Sequence, residues 1–243
     1  MHLLIDVGNS RIKWPLVEQV YDDEVSTYYG TLVELTSYIK SIDVEITSVF
    51  LAAVNQTAEL TELMNSVGFK EVIAVRSVAK QAGITNSYDQ PERMGVDRWL
   101  AMIGAYHTLM AVQCKTGIIV IDAGSALTID VLDSKGHHLG GYIVPGFNMA
   151  QRALFSNTEQ VKQYNERLDD WNDYYHRLGN NTSQCVEYGV MNQLAALVRQ
   201  VVQQYSDYEM IFTGGDGELL AGFFTAAKVD KNLVLKGLWQ VRN

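Results

Sequence analysis

The first residues of the chain combine the chemical groups that a phosphate-binding turn needs. An apolar run from Leu3 ends at Asp6, and Gly8, Ser10 and Lys13 follow in quick succession. Backbone N–H groups near Gly8, the Ser10 hydroxyl and the Lys13 ammonium can bind phosphate oxygens, and the Asp6 carboxylate can bind a metal ion. The same pattern also fits a buried strand that enters an ordinary tight turn without a ligand, which is a common structure for such a stretch.

A second stretch repeats this arrangement. The run Gly117–Asp122 is apolar up to its final Asp, and Gly124 and Ser125 follow it. Both stretches therefore end a predicted strand with Asp, Gly and a hydroxyl side chain. Two α/β halves with matching turns at their strand ends predict a nucleotide held between two lobes. The alternative is that two Asp-x-Gly turns arose independently.

The segment Gly95, Val96, Asp97 and Arg98 opens a predicted helix after a polar loop. An Asp at a helix start commonly acts as a cap, which stabilises the helix by about 1 kcal/mol. The functional alternative is that Asp97 accepts a proton from an attacking hydroxyl, since phosphoryl transfer depends mainly on positioning and charge neutralisation. Arg98 would then bind a substrate carboxylate or phosphate with its planar guanidinium.

Four further residues have both a structural and a functional interpretation. Tyr88 precedes this segment and is either a half-buried loop aromatic or part of the same site. Gly214 and Gly215 lie between a predicted strand and helix, where they either form a plain turn or let a nucleotide approach the backbone. The Thr182 hydroxyl, near the start of a long predicted helix, is either its N-cap or a substrate contact.

The order of predicted elements indicates an α/β fold with two halves, residues 1–115 and 116–243. The first half reads as three strands, a helix, a strand, a helix and a strand, and Thr31 with Glu34 forms a capping box for its first helix. Residues 77–94 read as irregular, and a helix follows them. The second half repeats the opening series of strands, and its polar residues 157–182 read as a lid or a partner-facing insert.

The composition argues against several classes of function. The chain of 243 residues has a net charge of −9 and no Lys/Arg cluster, which disfavours nucleic-acid binding by charge attraction. No apolar run approaches the roughly 20 residues of a membrane-spanning helix, and we expect a cytoplasmic protein without a membrane partner. Cys114 and Cys185 lack metal-ligand spacing and read as reduced thiols.

Taken in this order, the motifs resemble those of the type III pantothenate kinases, members of the acetate and sugar kinase/Hsp70/actin superfamily. The resemblance covers essentially the whole chain and implies a duplicated actin-like (ribonuclease H-like) ATPase fold with mixed sheets. The matching motifs are Asp6–Ser10 with Lys13, Gly95–Arg98 preceded by Tyr88, Asp122–Ser125, Gly140-Gly141 to Pro145-Gly146, Gly179 to Thr182, Thr213–Gly215 and Leu233–Leu238.

The resemblance implies ATP-dependent phosphorylation of pantothenate to 4'-phosphopantothenate, the first step of coenzyme A biosynthesis. It implies ATP contacts for Asp6, Val7, Gly8, Asn9, Ser10, Arg11, Ile12, Lys13 and Ser125, with Asp6 near Mg²⁺ and Asp122 at a monovalent cation, K⁺ or NH₄⁺. It implies pantothenate contacts for Tyr88, Gly95, Val96, Asp97, Arg98 and Thr182, with Asp97 as the proton acceptor. It also implies a homodimer in which a neighbouring subunit completes part of the pantothenate site.

Three positions depart from the family pattern. Gln90 stands before Pro91 where Asn is usual, and Ser125 replaces a commoner Thr but keeps the hydroxyl. The pair Trp14-Pro15 follows Lys13 where a small residue is usual, which leaves the bounds of the second strand open. Two other functions remain alternatives: a sugar or acetate kinase of the same superfamily, and a non-catalytic regulator on this fold, for which loss of the Asp6 or Asp97 carboxylate would be expected.

Overall fold

The computed structural model describes residues 1–8, 11–18, 25–53, 58–111, 115–157 and 177–242. The chain forms two compact units, Met1–Gln113 together with Asn232–Asn243, and Cys114–Lys231. The sequence-based division at 115/116 differs from this at the C-terminus, because the last helix packs within the first unit. In the described residues, no helix is long and apolar enough to cross a membrane.

Both units are built from short strands followed by helices. The elements of the first unit are β1 His2–Val7, β2 Ile12–Val17, β3 Thr27–Gly30, α1 Leu32–Ser41, β4 Ser48–Ala53, α2 Ala58–Val67, β5 Val72–Ala74, β6 Lys80–Gln81, β7 Ile84–Thr85, a 3-10 helix Pro91–Arg93 and α3 Val96–Ala111. Those of the second unit are β8 Ile118–Ala123, β9 Ala126–Leu132, β10 His138–Pro145, α4 Phe147–Asn157, α5 Thr182–Gln204, β11 Glu209–Thr213, α6 Gly217–Ala221 and β12 Lys228–Val229. The chain then returns to the first unit with α7 Leu233–Gln240.

The sheet of the first unit has the strand order β3-β2-β1-β4-β5. β1 pairs antiparallel with β2 and parallel with β4, and it is buried along most of its length. Alternate residues point to one face of the sheet, so Leu3 and Ile5 of β1 and Val49 and Leu51 of β4 share a core with α1 and α2. β1 is therefore held by a neighbouring strand on each side and by this core, which keeps its last residues, Asp6 and Val7, in place.

The predicted capping box at the start of α1 is confirmed. The Glu34 backbone N–H donates to Thr31 Oγ1 over 3.3 Å, and the Thr31 backbone N–H donates to Glu34 Oε2 over 2.7 Å. These two hydrogen bonds satisfy backbone donors that a helix start leaves without partners.

The sheet of the second unit repeats the first in its order, β10-β9-β8-β11-β12. β8 pairs antiparallel with β9 and parallel with β11, as β1 does with β2 and β4. One face of β8 and β9 packs with α5 into a core that includes Ile119, Ile121, Ile129, Leu194 and Val198. The predicted duplicated α/β fold with two mixed sheets is confirmed.

α7 joins the first unit because glycines let it approach α3 closely. A Cβ atom on Gly104 of α3 would clash with the Leu233 carbonyl oxygen, and one on Gly237 of α7 would clash with the Leu100 carbonyl oxygen. Leu100, Leu233 and Leu238 are fully buried at or near this crossing. The close approach buries apolar surface that stabilises the unit.

The structure differs from the sequence-based expectation for residues 77–94, and it defines the bounds of the second strand. Residues 77–94 are not wholly irregular, because β6 and β7 form a hairpin whose turn residues Ala82 and Gly83 have φ of 47° and 84°. These left-handed values match the two-residue turns that join antiparallel strands. The second strand runs without interruption through Trp14 and Pro15. Most of the predicted insert, residues 158–176, lies outside the described residues, as do Asn9, Ser10 and Cys114.

Candidate functional site

Asp6 and Lys13 lie opposite each other on neighbouring strands. The β1–β2 register pairs Asp6 with Lys13 and Val7 with Ile12, next to the turn that joins the strands. Within this turn the Gly8 backbone N–H donates to the Arg11 carbonyl oxygen over 3.2 Å. Antiparallel strands thus bring the predicted carboxylate and cation of the phosphate turn together, because cross-strand neighbours share a face of the sheet.

The Asp6 carboxyl is buried, and its pKa is raised to about 6, chiefly by the loss of solvation. The positive charge of Lys13 lowers this pKa, and the negative charge of Asp97 raises it. Asp97 of α3 therefore lies close enough to Asp6 for the two carboxylates to interact. A cation between such groups would favour their ionised forms, since nearby positive charge stabilises carboxylates.

Gly95, not Asp97, is the residue that precedes α3. The Trp99 backbone N–H donates to the Gly95 carbonyl oxygen over 3.1 Å, and the helix begins at Val96. The half-buried Asp97 lies in the first turn, where its Oδ1 accepts a hydrogen bond of 2.8 Å from the Arg98 backbone N–H. A Cβ atom on Gly95 would clash with this oxygen, so the glycine leaves room for the carboxylate.

Arg98 and Tyr88 form a pair beside this carboxylate. Arg98 is 5% exposed, its Nη1 donates to the Tyr88 hydroxyl over 2.7 Å, and its guanidinium carbon lies 5.7 Å from the centre of the Tyr88 ring. The contact combines a hydrogen bond with an interaction between the cation and the aromatic ring. Tyr88 and Arg98, for which the family resemblance implies one pantothenate site, are thus in direct contact.

Residues that the sequence analysis did not single out hold Tyr88 in position. Asn86 Oδ1 accepts from the Tyr88 backbone N–H over 3.0 Å, and the Asn86 backbone N–H donates to the Ala79 carbonyl oxygen over 2.9 Å. The hairpin itself is anchored to α3, because His107 Nε2 lies 2.8 Å from the Ala82 carbonyl oxygen. The Ala82-Gly83 pair between short polar strands was the available sequence signal for this hairpin.

In the second unit, three turns meet at the end of β8. The Gly124 backbone N–H donates to the Ala126 carbonyl oxygen over 3.0 Å, and the Gly146 backbone N–H donates to the Ser125 carbonyl oxygen over 3.0 Å. The Asp216 backbone N–H donates to the Ala123 carbonyl oxygen over 2.8 Å. The motifs at 122–125, 145–146 and 213–215, which are far apart in sequence, are therefore adjacent.

Asp122 lies on β8 directly opposite Thr213 of β11, and Gly214 follows. A Cβ atom on Gly214 would clash with the Asp122 carboxylate and with the Ala123 carbonyl oxygen, and the φ of Gly214 is +88°. Only glycine fits such a position without strain. The Asp122 and Ser125 side chains are both partly exposed.

The structure separates the two interpretations of the Thr182 hydroxyl. Asn181 is the N-cap of α5, because its Oδ1 accepts from the Gln184 backbone N–H over 2.9 Å. Thr182 is the first helical residue, and it is exposed. Its hydroxyl is therefore not required to cap the helix.

Comparison with known proteins identifies the family. The model of the family described as "Type III pantothenate kinase" matches residues 2–204. The chain belongs to the type III pantothenate kinase family. A type III pantothenate kinase of Marinobacter nauticus is 34% identical over 99% of this chain and 98% of its own length, and one of Dichelobacter nodosus is 30% identical over 98% and 96%.

A solved structure has the same fold. It is described as a conserved putative Baf family transcriptional activator from Campylobacter jejuni, and it is 24% identical, with a TM-score of 0.58 over 98% of this chain and 96% of that one. At this identity the likeness extends to the fold alone.

Two carboxylates of the chain stand at the positions for which the family resemblance implies bound cations. Asp6 is a buried carboxylate beside Lys13, and Mg²⁺ in kinases is commonly held by one or two carboxylates together with substrate phosphates. Asp122 offers a carboxylate at the end of β8. Among the described residues, no three His, Cys, Asp or Glu side chains form a cluster that would hold a metal ion without the nucleotide.

Proposed function

We propose that this protein transfers the γ-phosphoryl group of ATP to the primary hydroxyl of pantothenate and forms 4'-phosphopantothenate, the first step of coenzyme A biosynthesis. One observation carries the proposal: the first unit groups Asp6, Lys13 and Asp97, and Arg98, which follows Asp97 in the first turn of α3, pairs with Tyr88. Membership of the type III pantothenate kinase family supports the choice of substrate.

The turns after β1 and β8 bind the ATP phosphates in this proposal. Lys13 neutralises phosphate charge, the stretch from Asp6 to Lys13 contacts the phosphates, and the Ser125 hydroxyl donates a further hydrogen bond. Asp6 binds Mg²⁺, which neutralises the charge of the transferring phosphoryl group. Asp122 binds the monovalent cation, K⁺ or NH₄⁺.

Asp97 acts as the general base. Its carboxylate accepts the proton of the pantothenate hydroxyl, the hydroxyl oxygen forms a bond to the γ-phosphorus, and the bond from this phosphorus to the bridging oxygen breaks to release ADP. Arg98, oriented by Tyr88, binds the pantothenate carboxylate or the transferring phosphoryl group. Gly95, Val96 and Thr182 complete the pantothenate site.

The proposal includes a homodimer and a cytoplasmic location, where ATP is available. Several large apolar side chains on β10 and α4 are exposed, which is a feature of protein–protein interfaces. They are Leu139, Tyr142, Ile143, Met149 and Leu154. β10 is also the last strand on its side of the second sheet, so its outer backbone groups can pair with another strand. A second copy of the chain that covers this surface would complete part of the pantothenate site.

The test is ADP release by the purified protein with Mg·ATP and pantothenate, with and without K⁺. We expect turnover that requires pantothenate and that increases when K⁺ or NH₄⁺ is added. A panel with acetate and common sugars in place of pantothenate distinguishes the alternative kinases. Absence of pantothenate-dependent turnover, with the folded protein present, would overturn the proposal.

A further inference from the structure

Asn86 is a polar residue beside the proposed pantothenate site to which the proposed reaction gives no role. It follows β7 and begins the loop to α3, which contains Tyr88 and the 3-10 helix Pro91–Arg93. The Asn86 backbone N–H donates to the Ala79 carbonyl oxygen over 2.9 Å, directly before β6. Because this hydrogen bond involves only the backbone, it anchors the start of the loop and leaves the Asn86 carboxamide available for other contacts.

The Asn86 side chain contacts both ends of this loop. Its Oδ1 accepts a hydrogen bond of 3.0 Å from the Tyr88 backbone N–H, two residues further on. Its Nδ2 donates to Met94 Sδ over 3.5 Å, at the residue that precedes Gly95. These two contacts define the orientation of the amide, since its oxygen faces a donor and its nitrogen faces an acceptor. A thioether sulfur is a weak acceptor, so the contact with Tyr88 is the stronger of the two.

The contact with Tyr88 connects Asn86 to the buried arginine of the site. An Asn side chain that accepts from the N–H two residues on closes a turn of the backbone, and this turn fixes where the Tyr88 side chain begins. The Tyr88 hydroxyl accepts from Arg98 Nη1 over 2.7 Å, and Arg98 is almost fully buried. Hydrogen bonds thus connect Asn86 through Tyr88 to the guanidinium that binds the substrate in the proposed function.

We infer that Asn86 is a positioning residue for pantothenate: its carboxamide fixes Tyr88, and Tyr88 orients Arg98. The inference rests on the proposed function, since it takes pantothenate as the molecule that Arg98 binds. Asn86 acts only through Tyr88 and does not contact the substrate. Its substitution should therefore weaken the binding of pantothenate and not that of ATP, because Asn86 belongs to neither of the proposed phosphate turns.

The experiment measures steady-state kinetics of the full chain and its Asn86→Ala, Asn86→Asp and Asn65→Ala variants, with each substrate varied in turn. Asn86→Ala removes the acceptor of the Tyr88 N–H, so the KM for pantothenate should rise by about 3-fold to 10-fold, the effect of one hydrogen bond between neutral groups. Asn86→Asp keeps an acceptor that forms the same turn and should restore a KM close to that of the wild type. The KM for ATP should stay unchanged in every variant. Asn65→Ala is the matched control, because it removes an exposed carboxamide from α2 of the same unit.

Two further measurements test whether Asn86 acts through Tyr88. In the double variant, Asn86→Ala should add little to the KM of Tyr88→Phe, because the hydrogen bond that it positions is already absent. Hydrogen exchange of the ligand-free protein should be faster at residues 87–90 in Asn86→Ala than in the wild type, and unchanged in α2. This exchange does not involve pantothenate. A wild type that shows the exchange difference but no pantothenate-dependent turnover would overturn the proposed function and leave the contact between Asn86 and Tyr88 intact.

Four results would overturn the inference itself. They are an unchanged KM for pantothenate in folded Asn86→Ala, an equal rise in the KM for ATP, effects of the two substitutions that multiply in the double variant, and unchanged exchange at residues 87–90. If Asn86→Ala does not fold, Asn86→Ser takes its place. A serine hydroxyl forms the same turn more weakly, so a smaller rise in the KM for pantothenate is then expected.

Discussion

Arg98 Nη1 donates a 2.7 Å hydrogen bond to the hydroxyl of Tyr88, ten residues earlier in the chain. Arg98 is almost fully buried, so contacts such as this hydrogen bond determine the orientation of its guanidinium. The pair links the segment that follows the hairpin β6–β7 to the start of α3, and it fixes a cation beside the proposed base Asp97.

The Tyr88→Phe substitution tests whether this hydrogen bond orients Arg98 towards pantothenate. Removal of a hydrogen bond to a charged group costs about 1.5–3 kcal/mol, so we expect the KM for pantothenate to rise by roughly 10-fold or more. The KM for ATP should change little. Steady-state kinetics with each substrate varied in turn measures both, and Tyr205→Phe in the second unit is the control. An equal rise in both KM values would contradict this role.

The Asp97→Asn substitution should lower kcat by roughly 100-fold to 10,000-fold, because general bases contribute about this much to catalysis. The Asn side chain can still accept the hydrogen bond from the Arg98 backbone N–H, so the thermal midpoint should stay close to that of the wild type. ADP release and thermal unfolding give the two readings. The control is Asp89→Asn, which changes an exposed carboxylate on the preceding loop. Near-normal turnover in Asp97→Asn would exclude Asp97 as the base.

The buried Asp6 carboxyl predicts a pH-dependent gain in stability for Asp6→Asn. Its pKa in the folded protein, about 6, lies above its ordinary value of 3.8. The folded state therefore binds this proton more tightly than the unfolded state, and the contribution of Asp6 to stability is lost as the pH rises through 6. We expect Asp6→Asn to exceed the wild type in the free energy of unfolding by roughly 2–3 kcal/mol at pH 7.5.

This gain should disappear near pH 4, where Asp6 is protonated in the folded wild type. Denaturant titrations of both proteins at the two pH values measure it. Lys13→Met, which removes the charge that lowers the Asp6 pKa, should shift the transition to higher pH. A gain of the same size at both pH values would mean that ionisation of Asp6 is not its cause.

The crossing of α3 and α7 predicts that Gly237→Ala destabilises the protein. The added methyl group would clash with the Leu100 carbonyl oxygen, and overpacking of this kind costs about 1–3 kcal/mol. The thermal midpoint measured by circular dichroism should fall by roughly 3–10 °C. Gly189→Ala in α5 is the matched control: among the described residues, no atom beyond its chain neighbours and its own helix backbone lies within 4 Å of the added methyl group. Alanine also favours helix, so the midpoint of this variant should stay or rise. Equal midpoints for the two variants would show that the helices can separate at little cost.

Asn181 and Thr182 should differ in what their substitution affects. Asn181→Ala removes the N-cap of α5 and should cost about 1 kcal/mol of stability. Thr182→Val keeps the cap and removes only an exposed hydroxyl, so it should leave stability unchanged while it raises the KM for pantothenate. Thermal unfolding and steady-state kinetics of the two variants separate these effects. A destabilised Thr182→Val variant with a normal KM for pantothenate would mean that Thr182 stabilises the helix and does not contact the substrate.

The sequence alone determined the elements whose cause is local. Hydrophobic runs predicted β1, β4, β8 and β11, and Thr31 with Glu34 predicted the start of α1, because strand alternation and helix capping involve residues close in the chain. The repeated Asp-x-Gly pattern likewise predicted the duplicated sheets. Local patterns did not predict the hairpin β6–β7, whose short strands carry few apolar residues.

Only the tertiary structure decided which distant groups meet. The sequence did not predict that α7 belongs to the first unit, because this depends on the close approach that Gly104 and Gly237 allow. It did not distinguish Asn181 from Thr182 as the cap, because either side chain can cap a helix. Burial and electrostatic coupling, such as that of Asp97 with Asp6, arise from packing between segments far apart in the chain, which no local pattern encodes.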